Sequence, residues 1–330
     1  MDAAGSTIDA MGWAWTLIGV GLLSLALGGE LVVRGAVGAA QSLGVSPLII
    51  GVVLMGFGTS MPEMVTSVQS VLAGAPDIAV GNVVGSNIAN LLLIAGVAAA
   101  LSGISSAPRL LSRDAPALAI ATLVLAGLLL ADALTPLAGI AMAVALALYL
   151  RLAIQSESAA VGEPEAVPMP EADGPSLPTA FLFFGLGLVA TLLGAQWLVD
   201  GSADLARRAG LSEAFIGASI VAVGTSLPEL AATVAAAIRG RADLAIGNVF
   251  GSNIFNSLAI MAAATWATPF GAPLTLPPST AAFDLWAMLA ATAIVILFVW
   301  TGRRLARWEG LVLLALYVGF LPTAFLVSAQ

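Results

Sequence analysis

The sequence predicts an all-α integral membrane protein of ten transmembrane helices arranged as two inverted five-helix repeats. Three observations predict it: the composition, a series of apolar runs of membrane-spanning length, and an internal duplication. Of the 330 residues 60% are hydrophobic and only 9% charged, with a mean hydropathy of +1.04. Soluble domains carry about 25% charged residues. Taking about 20 residues per span, the apolar runs resolve into helices over 13–42, 46–73, 77–102, 114–131, 136–152, 179–209, 212–239, 242–265, 281–301 and 307–327. The first and sixth are longer than a bilayer requires, which implies tilt.

The duplication is read from a hexapeptide that occurs twice, Gly58-Thr59-Ser60-Met61-Pro62-Glu63 and Gly224-Thr225-Ser226-Leu227-Pro228-Glu229. The same offset of 166 residues superimposes, without a gap, Gly81-Asn82-Val83-Val84-Gly85-Ser86-Asn87-Ile88-Ala89-Asn90 on Gly247-Asn248-Val249-Phe250-Gly251-Ser252-Asn253-Ile254-Phe255-Asn256. Between 44–94 and 210–260, 23 of 51 aligned residues are identical, far more than shared hydrophobicity supplies. The chain therefore divides into a first repeat, 1–154, a linker, 155–178, and a second repeat, 179–330. Five spans, an odd number, separate each element from its copy, so the halves are expected to lie in opposite orientations across the membrane.

The remaining elements follow in chain order. The first eleven residues contain Asp2 and Asp9 but no basic residue, so they lack the positive segment of a secretory signal and read as a short external tail. Trp13, Trp15, Trp300 and Trp308 read as interfacial anchors. Glu30 with Arg34, and Asp204 with Arg208, are one helical turn apart and read as local ion pairs. Asp77 and Asp243 read as helix N-terminal residues favoured by the dipole. The segment 155–178, with five prolines and five acidic residues, reads as an unstructured linker. With the N-terminus outside, nine of the eleven arginines fall at cytoplasmic ends. That distribution predicts N- and C-termini outside and a cytoplasmic linker, in a multi-pass protein of the cell (inner or plasma) membrane.

The chemistry sits in the repeated motifs. Pro62 cannot donate to the carbonyl of Gly58, nor Pro228 to that of Gly224, so each helix breaks and frees a carbonyl oxygen. Thr59, Ser60, Thr225 and Ser226 add hydroxyl oxygens, and Glu63 and Glu229 add formal charge. Ser86 and Asn90, four residues apart, share a helix face, as do Ser252 and Asn256. The glycines at 81 and 85, and at 247 and 251, are spaced for close helix approach. Neither cysteine nor histidine occurs, so a bound cation must be held by oxygen, which suits calcium, sodium, magnesium or manganese. Two adjacent carboxylates in an apolar interior need cations or protons to neutralise them. Asn87 and Asn253 read as interhelical hydrogen bonders or ligands. The net charge of −8 argues against nucleic acid, and without lysine, histidine or cysteine no nucleophile–base pair for a hydrolase is apparent.

These duplicated GTSxPE and GNxxGSNxxN motifs resemble the alpha repeats of the sodium/calcium exchangers of the cation/calcium antiporter superfamily, particularly the compact prokaryotic members. The resemblance implies a secondary antiporter, not an enzyme, that exchanges calcium for sodium by alternating access, with calcium export the expected direction. It implies Glu63 and Glu229 as principal calcium ligands, joined by the carbonyls of Thr59 and Thr225. Ser60, Ser86, Asn90, Ser226, Ser252 and Asn256 would then complete sodium sites, and the first and sixth helices would slide over the rest. Calcium and sodium, or protons, are transported ions rather than cofactors, and the lipid bilayer is the one other partner; no obligate protein partner is implied. Asn256 departs from exchangers with an acidic residue there, which argues against potassium dependence. A proton/calcium antiporter using the same glutamates, and a cation channel, stay open as alternatives.

Overall fold

The computed structural model describes residues 3–105, 108–158, 175–209, 222–269, 272–278 and 280–328. Its helices are α1 (Ala3–Leu43), α2 (Pro47–Thr59), α3 (Met61–Leu72), α4 (Pro76–Ser102), α5 (Leu110–Leu130), α6 (Pro136–Ser158), α7 (Leu177–Arg208), α8 (Ala222–Gly224), α9 (Leu227–Ile238), α10 (Ala242–Trp266), α11 (Thr280–Gly302) and α12 (Arg307–Ser328). Eight of them, α1, α4, α5, α6, α7, α10, α11 and α12, are long and apolar enough to cross a membrane. The bent pair α2–α3 passes that test jointly, with 41° between its halves, and α9 is a shorter apolar helix.

Several boundaries differ from the sequence reading. α1 starts at Ala3, so the expected tail is helical; no proline precedes Pro47 to stop it. α6 continues to Ser158 and α7 begins at Leu177, so both ends of the expected linker are helix, and 159–174 lie outside the described residues. Of the helix expected over 212–239, the part from 212 to 221 also lies outside them. Beyond the breaks expected at Pro62 and Pro228, wider π-turns occur at Gly51–Met55, Ala89–Ile94, Leu110–Asp114, Asn256–Ile260 and Thr280–Asp284. Such turns insert a residue and rotate the face that follows, and they concentrate at functional sites.

α1 and α7 run antiparallel in close backbone contact. A Cβ on Gly28 would come within 2.7 Å of the Thr191 nitrogen, on Gly187 within 2.5 Å of Val32, and on Gly35 within 2.4 Å of Phe184. Gly21, Gly194 and Gly201 continue the seam, and Ser24 Oγ donates to the Ala190 carbonyl at 2.8 Å. Without a hydrophobic drive between helices in lipid, close van der Waals approach over small residues is what holds such a pair. At the bundle centre lie α10 and α4, whose apolar windows are 94% and 78% buried, against 17% for α12. Trp13, Trp15, Trp300 and Trp308 are all exposed on the outside, as interfacial anchors must be. Two short links join the halves: Ile104–Ser105 pairs antiparallel with Arg304–Leu305, Ile104 opposite Leu305, and Leu274 N–H donates to Leu134 at 2.9 Å.

The seam gives a direct test. Gly187→Leu should abolish recovery of monodisperse protein in detergent, because its side chain meets backbone on α1. Gly185→Leu, where no neighbour lies within 4 Å, should elute and melt like the parent.

Candidate functional site

Each hexapeptide interrupts its helix at the serine. Ser60 (φ −84°, ψ 6°) and Ser226 (φ −89°, ψ 5°) leave helical geometry and cap α3 and α9. Pro62 and Pro228 then fall in the first turn of a new half-helix, where a missing N–H costs nothing because that turn has no intrahelical acceptor. The price is displaced upstream: the carbonyls of Gly58 and Gly224, both buried, lose the donor a continuous helix would supply. Glu63 and Glu229 fall in the first turns of α3 and α9, where the helix dipole favours negative charge.

The second motif brings its oxygens up to these breaks. A Cβ on Gly247 would lie 2.8 Å from the Leu48 carbonyl, and one on Gly251 2.3 Å from that of Val52, so α10 packs backbone to backbone on α2. This closeness lets Ser252 Oγ donate to the Gly56 carbonyl at 3.3 Å. The matching contact expected at Gly81 and Gly85 is absent among the described residues, where nothing lies within 4 Å of either. The reason is positional: the repeat equivalent of Gly51 is residue 217, outside the described residues.

The two motifs converge. Glu63 and Glu229 are each 1% exposed. Ser60 Oγ donates to Glu229 Oε1 at 3.1 Å, the Thr225 and Ser226 hydroxyls lie beside the Glu63 carboxylate, and the two carboxylates are close enough to repel each other. Thr59 donates to Met55 O at 2.9 Å and lies 3.3 Å from Asn248 Oδ1. Ser86, Ser252, Asn90 and Asn256 are all buried. Asn90 and Asn256 sit at the start of π-turns rather than in the regular helix expected, so their side chains are rotated from the ideal four-residue stripe.

Many of these polar atoms lack hydrogen-bond partners among the described residues: both oxygens of Glu63, Glu229 Oε2, Ser226 Oγ, Asn90 Oδ1 and the whole Asn256 amide. Native proteins satisfy nearly all buried polar groups, and an unpaired buried carboxylate costs several kcal/mol. Orphaned oxygens beside two acids are chemically suited to a hard cation. Among the described residues no group of three or more acidic, histidine or cysteine side chains forms, so the charge here is that of two glutamates.

The sequence reading passed over several contacts. Asn82 Nδ2 donates to the Glu63 carbonyl and to Ser67 Oγ, and Asn248 Nδ2 to the Glu229 carbonyl and to Thr233 Oγ1. The signal was present: 67 and 233 are repeat equivalents and both carry hydroxyls. Asn87 bonds Ser257 across the halves at 3.0 Å, whereas Asn253 bonds within its own helix, to Val249 at 2.7 Å. The Glu30–Arg34 pair forms at 2.6 Å, but mid-helix, and Arg239 from the end of α9 joins it. Asp204–Arg208 forms as expected, at 2.8 Å.

Fold and site together define an all-helical integral membrane protein with a buried, doubly acidic, oxygen-rich cluster at its centre. The chain belongs to the sodium/calcium exchanger protein family, whose model matches residues 13–155 and 179–326. It is 38% identical over 308 residues to CaxA of Alkalimonas amylolytica, assigned as an antiporter, covering 91% of this chain and 95% of that one. It is 31% identical over 352 residues to the sodium/calcium exchanger MaX1 of Methanosarcina acetivorans, covering 93% and 97%. The fold superimposes on the sodium-calcium exchanger NCX_Mj, soaked with zero Na+ and Ca2+, with a TM-score of 0.81 at 28% identity, covering 94% of this chain and 98% of that one. These neighbours are transporters, not enzymes.

The unpartnered acids make a prediction independent of transport. Glu63→Gln should raise the melting temperature in sodium- and calcium-free buffer, since a neutral amide of the same shape lifts the cost of a buried unpaired charge. Differential scanning fluorimetry checks it; a fall of several degrees would mean the carboxylate is structurally compensated.

Proposed function

We propose that this protein is a secondary antiporter exchanging calcium for sodium by alternating access, with export of calcium from the cytoplasm as its working direction. One observation carries the reading: two buried glutamates from duplicated, proline-broken helices face each other with most of their oxygens unpartnered. Calcium takes six to eight oxygen ligands. Glu63 and Glu229, the hydroxyls of Ser60, Ser86, Ser226 and Ser252, the Asn90 and Asn256 amides, and backbone oxygens at Gly58, Thr59, Gly224 and Thr225 supply that number and divide into smaller sodium sites. Two carboxylates balance one calcium, so calcium and sodium compete for the same negative charge. That competition is the physical basis of coupling.

The architecture we infer is ten spans in two inverted halves, 1–154 and 179–330, joined by the 155–178 linker. Support comes from the α1–α7 seam, where Gly28 and Gly194 are repeat equivalents and Ser24 bonds the carbonyl of its own equivalent, Ala190. Helices related by a twofold axis in the membrane plane meet in this way. The arginine distribution supports termini outside and a cytoplasmic linker in the cell membrane.

Glu63→Gln and Glu229→Gln should each abolish calcium uptake into liposomes while the protein remains monodisperse; normal uptake by either would remove that residue from the site. In a second experiment calcium flux is driven by an imposed sodium gradient and then by a pH gradient, each without the other ion. Sodium-driven flux alone is expected. Flux driven only by the pH gradient would make the protein a proton/calcium antiporter on the same glutamates, and flux without any counter-ion would make it a channel.

A further inference from the structure

We propose that Asn82 and Asn248 are positioning residues that fix each site glutamate in register with the serine and asparagine oxygens on the facing helix. The inference rests on the calcium-site reading above and adds a determinant of its dimensions.

The geometry occurs twice. Asn82 Nδ2 on α4 donates to the Glu63 carbonyl at 3.2 Å and to Ser67 Oγ at 2.9 Å on α3; Asn248 Nδ2 on α10 donates to the Glu229 carbonyl at 3.4 Å and to Thr233 Oγ1 at 2.8 Å on α9. In each half the two acceptors belong to residues four apart, so they stack along one helix face. An amide that spans both fixes the half-helix in rotation and along its axis. Aspartate has no N–H to offer, and serine or threonine has one donor against two acceptors. Ser67, Thr233 and Asn248 are fully buried and Asn82 is partly so, so the two bonds made by Asn248 are sealed from water.

The consequence reaches the ions through helix geometry. Asn82, Ser86 and Asn90 follow one another at four-residue steps on α4, as Asn248, Ser252 and Asn256 do on α10. Bolting Asn82 to the Glu63 backbone therefore sets how far the carboxylate stands from Ser86 and Asn90. A slip of one residue moves a helix by about 1.5 Å, which is large against calcium–oxygen distances of about 2.3–2.6 Å. The asparagines thus hold the glutamate backbones without directing a donor at the carboxylates, and hold the cage at one size. Asn248 has a further contact, 3.3 Å from Thr59 Oγ1 of the opposite hexapeptide, so its loss loosens both halves.

The test uses the full-length protein in liposomes, measuring calcium KM, maximal rate and the ratio of strontium to calcium uptake. Asn82→Ala and Asn248→Ala should raise KM about tenfold, as loss of groups that orient metal ligands does, and shift the ratio toward the larger strontium. Asn248→Ala should have the larger effect. Thr233→Ala should raise KM in the same direction, and Thr233→Ser, which keeps the hydroxyl, should recover it; this pair carries the test if Asn248→Ala does not fold. Unchanged KM and strontium ratio, with the rate falling only in step with folded protein, would overturn the proposal. Glu63→Gln is run in parallel: its loss of transport beside an unaltered Asn82→Ala refutes the positioning role alone, whereas normal transport by Glu63→Gln refutes the site itself.

Discussion

Two carboxylates buried side by side inside an apolar body are the constraint on which the rest of this structure depends. Each is almost fully removed from solvent, and among the described residues Ser60 donates to Glu229 Oε1 while the hydroxyls of Thr225 and Ser226 lie beside Glu63. Coulomb repulsion and desolvation act in the same direction on such a pair, so the empty, doubly charged state is expensive. Such a pair needs cations or protons to offset the cost, and on the proposed reading the instability of the bare site is part of its function.

The surrounding backbone is organised to make that cluster possible. Irregular backbone within a membrane is tolerated only where protein encloses it, and both break residues, Ser60 and Ser226, are buried. Glycine supplies the closeness. Gly247 and Gly251 let α10 rest on the backbone of α2, and the glycines of α1 and α7 bring the two longest helices together. A side chain in either place would separate backbones whose distances set the positions of the oxygens.

The duplication is not perfect, and the departures are informative. Glu30 of α1 pairs with Arg239 at the end of α9, but the equivalents of these residues in the other half are Gln196 and Ala73, which cannot form an ion pair. Asn87 bonds Ser257, whereas the equivalent of Ser257 is Leu91, and Asn253 turns back to its own helix. Substitutions of this kind give the two halves different contacts while the repeated glutamates and asparagines stay in place.

The sequence by itself determined the membrane character, the duplication, and the residues that meet at the centre, because burying a glutamate beside a proline in an apolar run is costly enough to mark function in one dimension. It also determined the family, through motifs whose spacing is rigid. Tertiary structure alone decided the rest. Hydrogen bonds between Asn82 and Ser67, or Asn248 and Thr233, depend on which face of one helix meets which face of another, and asparagine in a polar motif has many available partners. The π-turns at Asn90 and Asn256 and the third member of the Glu30–Arg34 pair were hidden for the same reason. Helical periodicity reports which side of a helix is apolar, but the rotation and axial offset of neighbouring helices are set by packing summed over the whole bundle.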